Sequence, residues 1–494
     1  SGDGSNLSGI AATNYNTQTV TANAAETIID LADGNMITMN QSANTTVGFA
    51  STSTAMDVTL IRATGSSGTI TWPDSVQWNG GVAPTLASAN IREDDIQQFQ
   101  FLTRDSGVTW YGWENMKNAG GTDVELYGWG DNMYYGHLGL NSQTDQSSPT
   151  QLPGTWGRPT TGGGNPISGG EDQNAALKTD GTLYTWGRPN DGQLGRPPYN
   201  ETGNRSAPAG QVPGTTWNGV YCGQETTAAT KSDGTFWIWG KNNYGELGIN
   251  IGGYPGSRSS PMQIPGSTWE PLATLGGRNV VMAVRNNTQL WAWGNNENGV
   301  LGNNENGSFK SKSSPVQIPG AWKSDKLYAG YSHNGGIKTN DTLFMWGNNN
   351  AGQLGQNAKV NASSPIQIPG TWDMVHGTSA SSLGLKPDGT LWSWGNNSRG
   401  KLGLNAPENS YMSSPTQVGT DTTWDFIHAN NYNTCFGIKT DGTLWSWGEN
   451  FDGSLGLRQP TNSHKSSPTQ IPGLWDSSQG MGGGFFWAFG FKAV

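Results

Sequence analysis

A short strand that ends in Trp-Gly recurs seven times between Leu126 and Gly448. The first copy is Leu126-Tyr-Gly-Trp-Gly130, the last is Leu444-Trp-Ser-Trp-Gly448, and successive tryptophans are 48 to 57 residues apart. A fixed period of this kind is typical of repeat proteins, in which each unit buries its apolar face against the next one. The repeat therefore decides the fold class, and it predicts that most of the recurring residues serve the scaffold.

Each repeat has the same order of parts and predicts about four β-strands. Two apolar runs flank Asp-Gly, as in the segment Cys435–Gly448, and indicate a β-hairpin because Asp-Gly accepts the positive φ angles of a tight turn. A glycine-rich stretch that ends in Leu-Gly comes next, then a loop of variable length, then a strand that starts with Ser-Ser-Pro-x-Gln, as in Ser363–Gln367. Four short strands per repeat are typical of a β-propeller blade.

The two ends of the repeat region complete each other. Ala488-Phe-Gly-Phe-Lys492 matches the first half of a hairpin, and Thr122-Asp-Val-Glu-Leu126 matches the second half. The sequence therefore predicts that the C-terminal strand pairs with the first propeller strand, with Phe486–Lys492 against Val124–Trp129. Such pairing would close the ring and remove the free sheet edges of an open array.

The motif Trp-Gly-x-Asn-x-x-Gly-x-Leu-Gly resembles the regulator-of-chromosome-condensation repeat family, and the resemblance covers about residues 120–494. It implies a seven-bladed β-propeller. In eukaryotic members one face of the propeller catalyses nucleotide exchange on a small GTPase through loops specific to those proteins. No loop of this chain matches them residue by residue, so we expect no enzyme activity.

Residues 1–118 lack the repeat, and their short β-branched runs, separated by Asn, Ser, Thr and Gly, predict a β-sandwich. The segments Thr69–Thr85 and Phe101–Gly112 look like a module of bacteriophage tail-fibre and other virion proteins. Ser1–Gly9 looks like the segment that joins modules in phage fibres. The predicted organisation is therefore an all-β chain, with a sandwich over 1–118 that connects to the virion and a propeller over 119–494. A generic secreted β-sandwich is the alternative for the first part.

Composition narrows the function. The net charge of −10 and the pI of about 5.0 disfavour binding to nucleic-acid phosphate, and no apolar run is long enough for a membrane span. Cys222 and Cys435 belong to blades far apart in the predicted ring, so both are expected to be free thiols. No histidine or cysteine spacing indicates zinc, and the run Glu93-Asp94-Asp95 is interpreted as a solvated loop rather than a calcium site. We predict no cofactor and no metal.

The variable loop between Leu-Gly and Ser-Ser-Pro occurs once per blade and should lie on one face of the propeller. In five blades it carries a ring-bearing side chain, namely Tyr199, Tyr254, Phe309, Tyr411 and His464. Flat rings with amide and hydroxyl neighbours suit sugar binding by stacking and hydrogen bonds. The alternative is that these rings only hold their own loops in place.

These observations predict a non-enzymatic virion protein of a bacteriophage, a tail-fibre or surface-fibre head that contacts the host surface, including its glycans. Its partners would be other virion proteins through the N-terminal domain and a host receptor, and it would be a trimer if it is a fibre. The chain is expected to be a processed product or a part of a longer fibre. The alternatives are a capsid-decorating or fibre-stabilising protein, a secreted bacterial adhesin and a glycan depolymerase.

Overall fold

The structure is a computed structural model that describes residues 124–493, except 160–162, 197–204, 252–255, 277–278 and 431, and nine strands between residues 17 and 117. Contacts between residues divide the chain into two units, Ser1–Thr122 and Asp123–Val494. No helix in the described part has the length and apolar character that a membrane crossing requires.

The N-terminal unit contains two sheets. Its strands are β1 (Thr17–Ala22), β2 (Glu26–Ile29), β3 (Met36–Gln41), β4 (Thr45–Phe49), β5 (Met56–Arg62), β6 (Ile70–Thr71), β7 (Val76–Trp78), β8 (Gln97–Thr103) and β9 (Trp110–Lys117). One sheet has the order β1-β3-β5-β8-β9-β7 and the other β2-β4-β6, so the first six strands alternate between the sheets. The pairs β1–β3, β3–β5 and β2–β4 are parallel. How the two sheets pack lies outside the described residues, and the β-sandwich stays a prediction.

The second unit is a β-propeller of seven four-stranded sheets, as the repeat predicts. We number the blades 1 to 7 and call the strands A to D from the innermost to the outermost. The A strands are β36 (Met481–Gly483), β12 (Ile167–Gly169), β16 (Trp217–Cys222), β20 (Trp269–Gly276), β24 (Trp322–Ala329), β28 (Met374–Gly377) and β32 (Trp424–Ala429). The B strands are β37 (Trp487–Ala493), β13 (Gln173–Leu177), β17 (Thr226–Lys231), β21 (Val280–Arg285), β25 (His333–Lys338), β29 (Ser381–Leu385) and β33 (Thr434–Lys439).

The C and D strands complete each blade. The C strands carry the Trp-Gly pairs and are β10 (Val124–Gly130), β14 (Leu183–Gly187), β18 (Phe236–Gly240), β22 (Gln289–Gly294), β26 (Thr342–Gly347), β30 (Leu391–Asn396) and β34 (Thr443–Gly448). The D strands carry the Ser-Ser-Pro segments or their equivalent and are β11 (Gln146–Leu152), β15 (Arg205–Val212), β19 (Arg258–Ile264), β23 (Lys312–Ile318), β27 (Ala362–Thr371), β31 (Tyr411–Gln417) and β35 (Lys465–Leu474). Proline suits an outermost strand because it cannot donate to a further neighbour. Single 3₁₀ turns lie at Glu297–Gly299, Ser308–Lys310, Ser398–Gly400 and Ser477–Gln479.

Blade 1 joins the two ends of the propeller. Its strands β36 and β37 come from the C-terminus, and β10 and β11 come from the start of the repeat region. The strand β37 runs antiparallel to β10, with partners from Val124↔Ala493 to Gly130↔Trp487. The predicted pairing of the C-terminal strand with the first propeller strand is present.

Each tryptophan of a Trp-Gly pair fastens its blade to the preceding blade. Its indole Nε1 donates to the carbonyl of the residue before Leu-Gly, at 2.7 to 3.1 Å. The glycine of Leu-Gly lets this indole approach: a Cβ on Gly195 would lie 2.5 Å from Trp239 Nε1, and its φ is +68°. Because Ser454 of blade 7 accepts from Trp129 of blade 1, the chain of bonds returns to its start. These tryptophans are scaffold, as expected.

A second feature repeats in every blade and was not foreseen. A basic side chain at the end of each B strand lies over an aromatic ring of its own blade, with the nearest ring centroid 3.9 to 5.6 Å away. These cations are Lys178, Lys231, Arg285, Lys338, Lys386, Lys439 and Lys492. Such cation–π contacts contribute about 0.5–1 kcal/mol each at exposed sites.

Candidate functional site

The order of the strands gives the propeller two different faces. All neighbouring strands within a blade are antiparallel, so the A–B and C–D connections lie on one face, which we call the loop face. The B–C hairpins and the connections between blades lie on the other, the turn face. The B–C hairpins are short: in Asp180-Gly-Thr182, for example, the amide of Thr182 donates to Asp180 Oδ1 at 2.9 Å and closes the turn. The C–D connections on the loop face are much longer than these hairpins.

Large apolar side chains are exposed mainly on the loop face. Twelve are exposed among the described residues, and nine of them lie on this face. Eight are in its A–B and C–D connections, namely Met133, Tyr134, Tyr244, Ile251, Phe309, Val360, Tyr432 and Phe451, and the ninth, Tyr411, begins the D strand β31 at this face. Met262 and Ile366 are on D strands, and only Leu474 lies at the turn face. Concentrated exposed apolar surface marks interaction sites more often than scattered residues do.

Five aromatic rings meet at the centre of the loop face. Phe485 lies between Tyr331 and Tyr432, at centroid distances of 6.4 and 6.0 Å. Phe486 is 5.1 Å from Tyr432 and 4.9 Å from Phe451. Tyr331 belongs to blade 5 and Phe485 to blade 1, three blades further round the ring, so their contact crosses the propeller axis. We call these five residues the central aromatic cluster.

The five ring-bearing residues that the sequence predicts as ligand contacts do not share one environment. Tyr199 and Tyr254 lie outside the described residues. Phe309 is fully exposed on the loop face, and Tyr411 is 49 % exposed with Lys359 Nζ 4.1 Å above its ring. Both therefore lie on the face that the sequence predicts for them, and their role in binding stays a prediction.

His464 has a structural contact. It is half-buried, and its Nδ1 accepts a hydrogen bond from the amide of Asn450 at 3.1 Å. Asp145 and Asn361 hold the equivalent position in blades 1 and 5, and each accepts from the amide of the corresponding asparagine at 2.8 Å. The contacts of His464 therefore fit the alternative role, in which the side chain holds its own loop in place and does not bind a ligand.

Sequence reasoning missed the central aromatic cluster. Tyr331, Tyr432 and Phe485 stand in the short A–B connections, which carry no motif and attract no attention beside the longer loops. The available signal was positional: each follows an A strand of a recognisable repeat, and A strands surround the axis of a propeller.

Three of the five histidines lie on A and B strands, inside the ring. His376 and His428 stand on adjacent A strands with ring centroids 5.3 Å apart, and burial lowers their pKa values to about 4 and about 3. His333 Nε2 lies 2.9 Å from Ser382 Oγ, but both residues are fully buried. This Ser–His pair is closed to any substrate and serves the interface between blades 5 and 6.

Both cysteines are free and buried. Cys222 ends the A strand of blade 3 and Cys435 lies in the B strand of blade 7. Burial raises the pKa of each thiol to about 12, so neither is a thiolate at neutral pH. The prediction of two free thiols is confirmed.

Comparison with known families identifies the propeller. Residues 125–489 match the family described as RCC1-like domain, and the chain belongs to this family. The resemblance inferred from the Trp-Gly repeats is thereby confirmed for the propeller.

Curated relatives are 26 to 29 % identical to it over about half of its length. The RCC1 domain-containing protein RUG3 of Arabidopsis thaliana is 29 % identical over 248 residues, which is 47 % of this chain and 51 % of that protein. A secretion-regulating guanine nucleotide exchange factor of Bos taurus is 26 % identical over 243 residues, 48 % of this chain and 51 % of that protein. The chain thus spans about half the length of these relatives, so their whole-protein activities are not carried over.

Solved structures agree on the fold. Prp20p of Saccharomyces cerevisiae, described as binding Gsp1p and histones, has a TM-score of 0.62 at 18 % identity and covers 76 % of this chain and 92 % of its own. Human WBSCR16 has a TM-score of 0.61 at 16 % identity, covering 75 % and 99 %. Identities this low carry the fold alone.

Proposed function

We propose that the chain is a non-enzymatic binding protein whose loop face recognises its partner. The observation that carries the proposal is that nine of the twelve large apolar side chains exposed in the described part of the chain lie on this face. Loops on a rigid scaffold are where binding surfaces usually form. The central aromatic cluster supplies flat rings, and Asn and Ser of the surrounding loops supply amide and hydroxyl groups, which together suit a glycan or a polar protein surface.

The biological setting we propose is the bacteriophage virion, with the propeller as a fibre head that contacts the host surface. This part rests on the sequence of the N-terminal unit, where Thr69–Thr85 resembles a virion module. The N-terminal unit would then join the propeller to other virion proteins. A capsid-decorating protein without a receptor is the alternative in the same setting.

Binding of the purified full-length chain to a panel of bacterial cells, and to surface polysaccharide isolated from them, tests the proposal. Replacing Tyr432 and Phe451 together with Ala should weaken binding at least tenfold, because two exposed rings at the centre of the face are lost. The matched control is Leu474→Ala, which removes an exposed apolar side chain from the turn face and should bind normally. Polysaccharide that has been incubated with the protein should show no new reducing ends, because the protein does not cleave it.

Three results would contradict this proposal. Undiminished binding by a folded Tyr432→Ala/Phe451→Ala protein would show that the loop face is not the binding surface. Absence of binding to every cell and polysaccharide would favour the decorating protein, and new reducing ends would indicate a depolymerase.

A further inference from the structure

Three carboxylates meet where blade 7 adjoins blade 1 on the loop face. Asp131 directly follows the C strand of blade 1, Asp145 precedes its D strand, and Asp452 lies in the C–D loop of blade 7. One carboxylate oxygen from each lies within 4.8 Å of the other two. We call these residues the seam cluster, because they join the last blade of the chain to the first.

At two other contacts between blades, the equivalent positions are neutral or balanced in charge. Between blades 4 and 5 they are Asn298, Asn361 and Asn348, and Asn361 Nδ2 donates to Asn298 Oδ1 at 3.4 Å. Between blades 6 and 7 they are Arg399, His464 and Glu449, and Arg399 Nε lies 3.6 Å from Glu449 Oε1. The propeller scaffold therefore accepts uncharged residues at these positions. It does not require the three carboxylates that the seam cluster has.

The negative charges of the seam cluster act on one another. Asp145 and Asp452 are half-buried. Asp131 is only 8 % exposed, and bringing like charges together at such a site is costly without a counter-charge.

A buried imidazole faces the same cluster. The side chain of His137 is 3 % exposed, and its Nδ1 lies 3.7 Å from Asp131 Oδ2. The ring is stacked on Trp487 at 3.8 Å with 4° between the planes, and neither ring nitrogen has a hydrogen-bond partner among the described residues. An imidazole held beside a carboxylate in this way resembles the outer-shell partners that orient metal ligands.

We propose that the seam cluster binds a divalent cation of the calcium type, with Asp131, Asp145 and Asp452 as ligands. Carboxylate oxygen is the donor that hard cations prefer, and the set contains no sulfur or coordinating nitrogen. Two oxygens that each lie about 2.4 Å from Ca²⁺ are at most about 4.8 Å apart, and the three oxygens lie within that distance of one another. Two ligands come from blade 1 and one from blade 7, so the cation ties the closing blade to its neighbour.

Calcium titration of the full chain tests this site. We expect saturable Ca²⁺ binding with a dissociation constant on the order of 10⁻⁴ M, as in extracellular modules, and Tb³⁺ luminescence, excited through nearby tyrosine and tryptophan, that Ca²⁺ competes away. The thermal midpoint should rise by a few degrees with millimolar Ca²⁺ and fall back when EDTA is added, because a ligand that binds only the folded state stabilises it.

The variants that decide the matter are Asp145→Asn and Asp452→Asn. Each should lose at least tenfold in calcium affinity and most of the thermal response. The matched control is Asp191→Asn, which changes the position equivalent to Asp452 in blade 2, where Lys241 stands in place of Asp131; it should respond like the natural chain.

The proposal fails if the natural chain neither binds Ca²⁺ nor sensitises Tb³⁺. It also fails if Asp145→Asn retains the calcium response, which would place the ion elsewhere. If both Asn variants melt higher than the natural chain whether or not calcium is present, the carboxylates are merely repulsive and share a proton instead of a metal. The Tb³⁺ measurement on the natural chain decides the case even if a variant does not fold.

Discussion

At one buried position of the repeat, the backbone makes the same contact in every blade while the side chain varies. The residue before each Leu-Gly presents its carbonyl to the tryptophan of the next blade, whatever its side chain is. The seven occupants are His137, Gln193, Glu246, Val300, Gln353, Lys401 and Ser454, and none is more than 3 % exposed. Since the invariant contact is made by the main chain, the side chain at this position can be apolar, polar or charged.

Glu246 is the occupant whose charge should make stability depend on pH. Its carboxylate accepts from the amides of Asn243 and Tyr244 at 3.0 and 2.6 Å, yet burial raises its pKa to about 7. A raised pKa means that the folded state binds the proton more tightly than the unfolded state. The stability from this group is therefore full below about pH 4.5 and is lost as pH rises through about 7.

Replacing Glu246 with Gln should remove this loss. We expect the variant to be more stable than the natural chain at pH 8, by about 1–2 kcal/mol, and to show no gain at pH 4.5. Gln suits the site because Gln353 holds the same position in blade 5, where its Oε1 accepts from the amide of Ala351 at 2.9 Å. Denaturant unfolding at the two pH values measures the difference, with Gln353→Glu as the reverse control. A gain of equal size at both pH values would show that the charge of Glu246 is not its cause.

At the scale of strands and blades, the sequence predicts what is local or repeated. The hairpins, the four strands per blade and the shared blade 1 follow from Asp-Gly turns and from the match between the two chain ends. Contacts between distant segments could not be predicted this way. Tyr331 meets Phe485 across the axis, and Asp131 meets Asp452, at sequence separations that no motif connects. No local spacing motif links the carboxylates of the seam cluster, so the sequence predicts no metal site there.

The strand β37 should be essential for the closed ring. Deleting residues 487–494 removes every partner of β10 on that side, together with Trp487, Phe489 and Phe491, each at most 1 % exposed. Loss of a buried Phe or Trp side chain costs about 3–5 kcal/mol, so we expect the thermal midpoint to fall steeply or the propeller not to fold. Deleting only residues 493–494 removes a single pair at the end of the strand and should have little effect. Circular dichroism melts compare the two truncations, and equal melting would refute the closure as a source of stability.

At the scale of the whole molecule, a rigid frame carries two unequal faces. The interblade bonds and the cation–π contacts recur in every blade, while the loop face differs from blade to blade in the length and content of its C–D loops. The centre of this face is formed by blades 5, 7 and 1, whereas Phe309 and Tyr411 stand on the outer loops of blades 4 and 6. A partner that covers the face would contact both zones, and a small ligand would contact the centre alone.

We expect the partner to reach the outer loops. Replacing Phe309 and Tyr411 together with Ala should therefore weaken binding of the single chain to cells or polysaccharide about tenfold, since partly exposed aromatic contacts contribute roughly 0.5–1.5 kcal/mol each. Folding should be unaffected, because Phe309 is fully exposed and Tyr411 is 49 % exposed. The effect should be larger when several chains are displayed together, because losses at each head multiply in multivalent attachment. Binding is measured on monomeric and on multivalently displayed protein, with Leu474→Ala as the control. If the Phe309→Ala/Tyr411→Ala variant binds fully while Tyr432→Ala/Phe451→Ala loses binding, the site is restricted to the central aromatic cluster. That outcome would rule out a partner that spans the face.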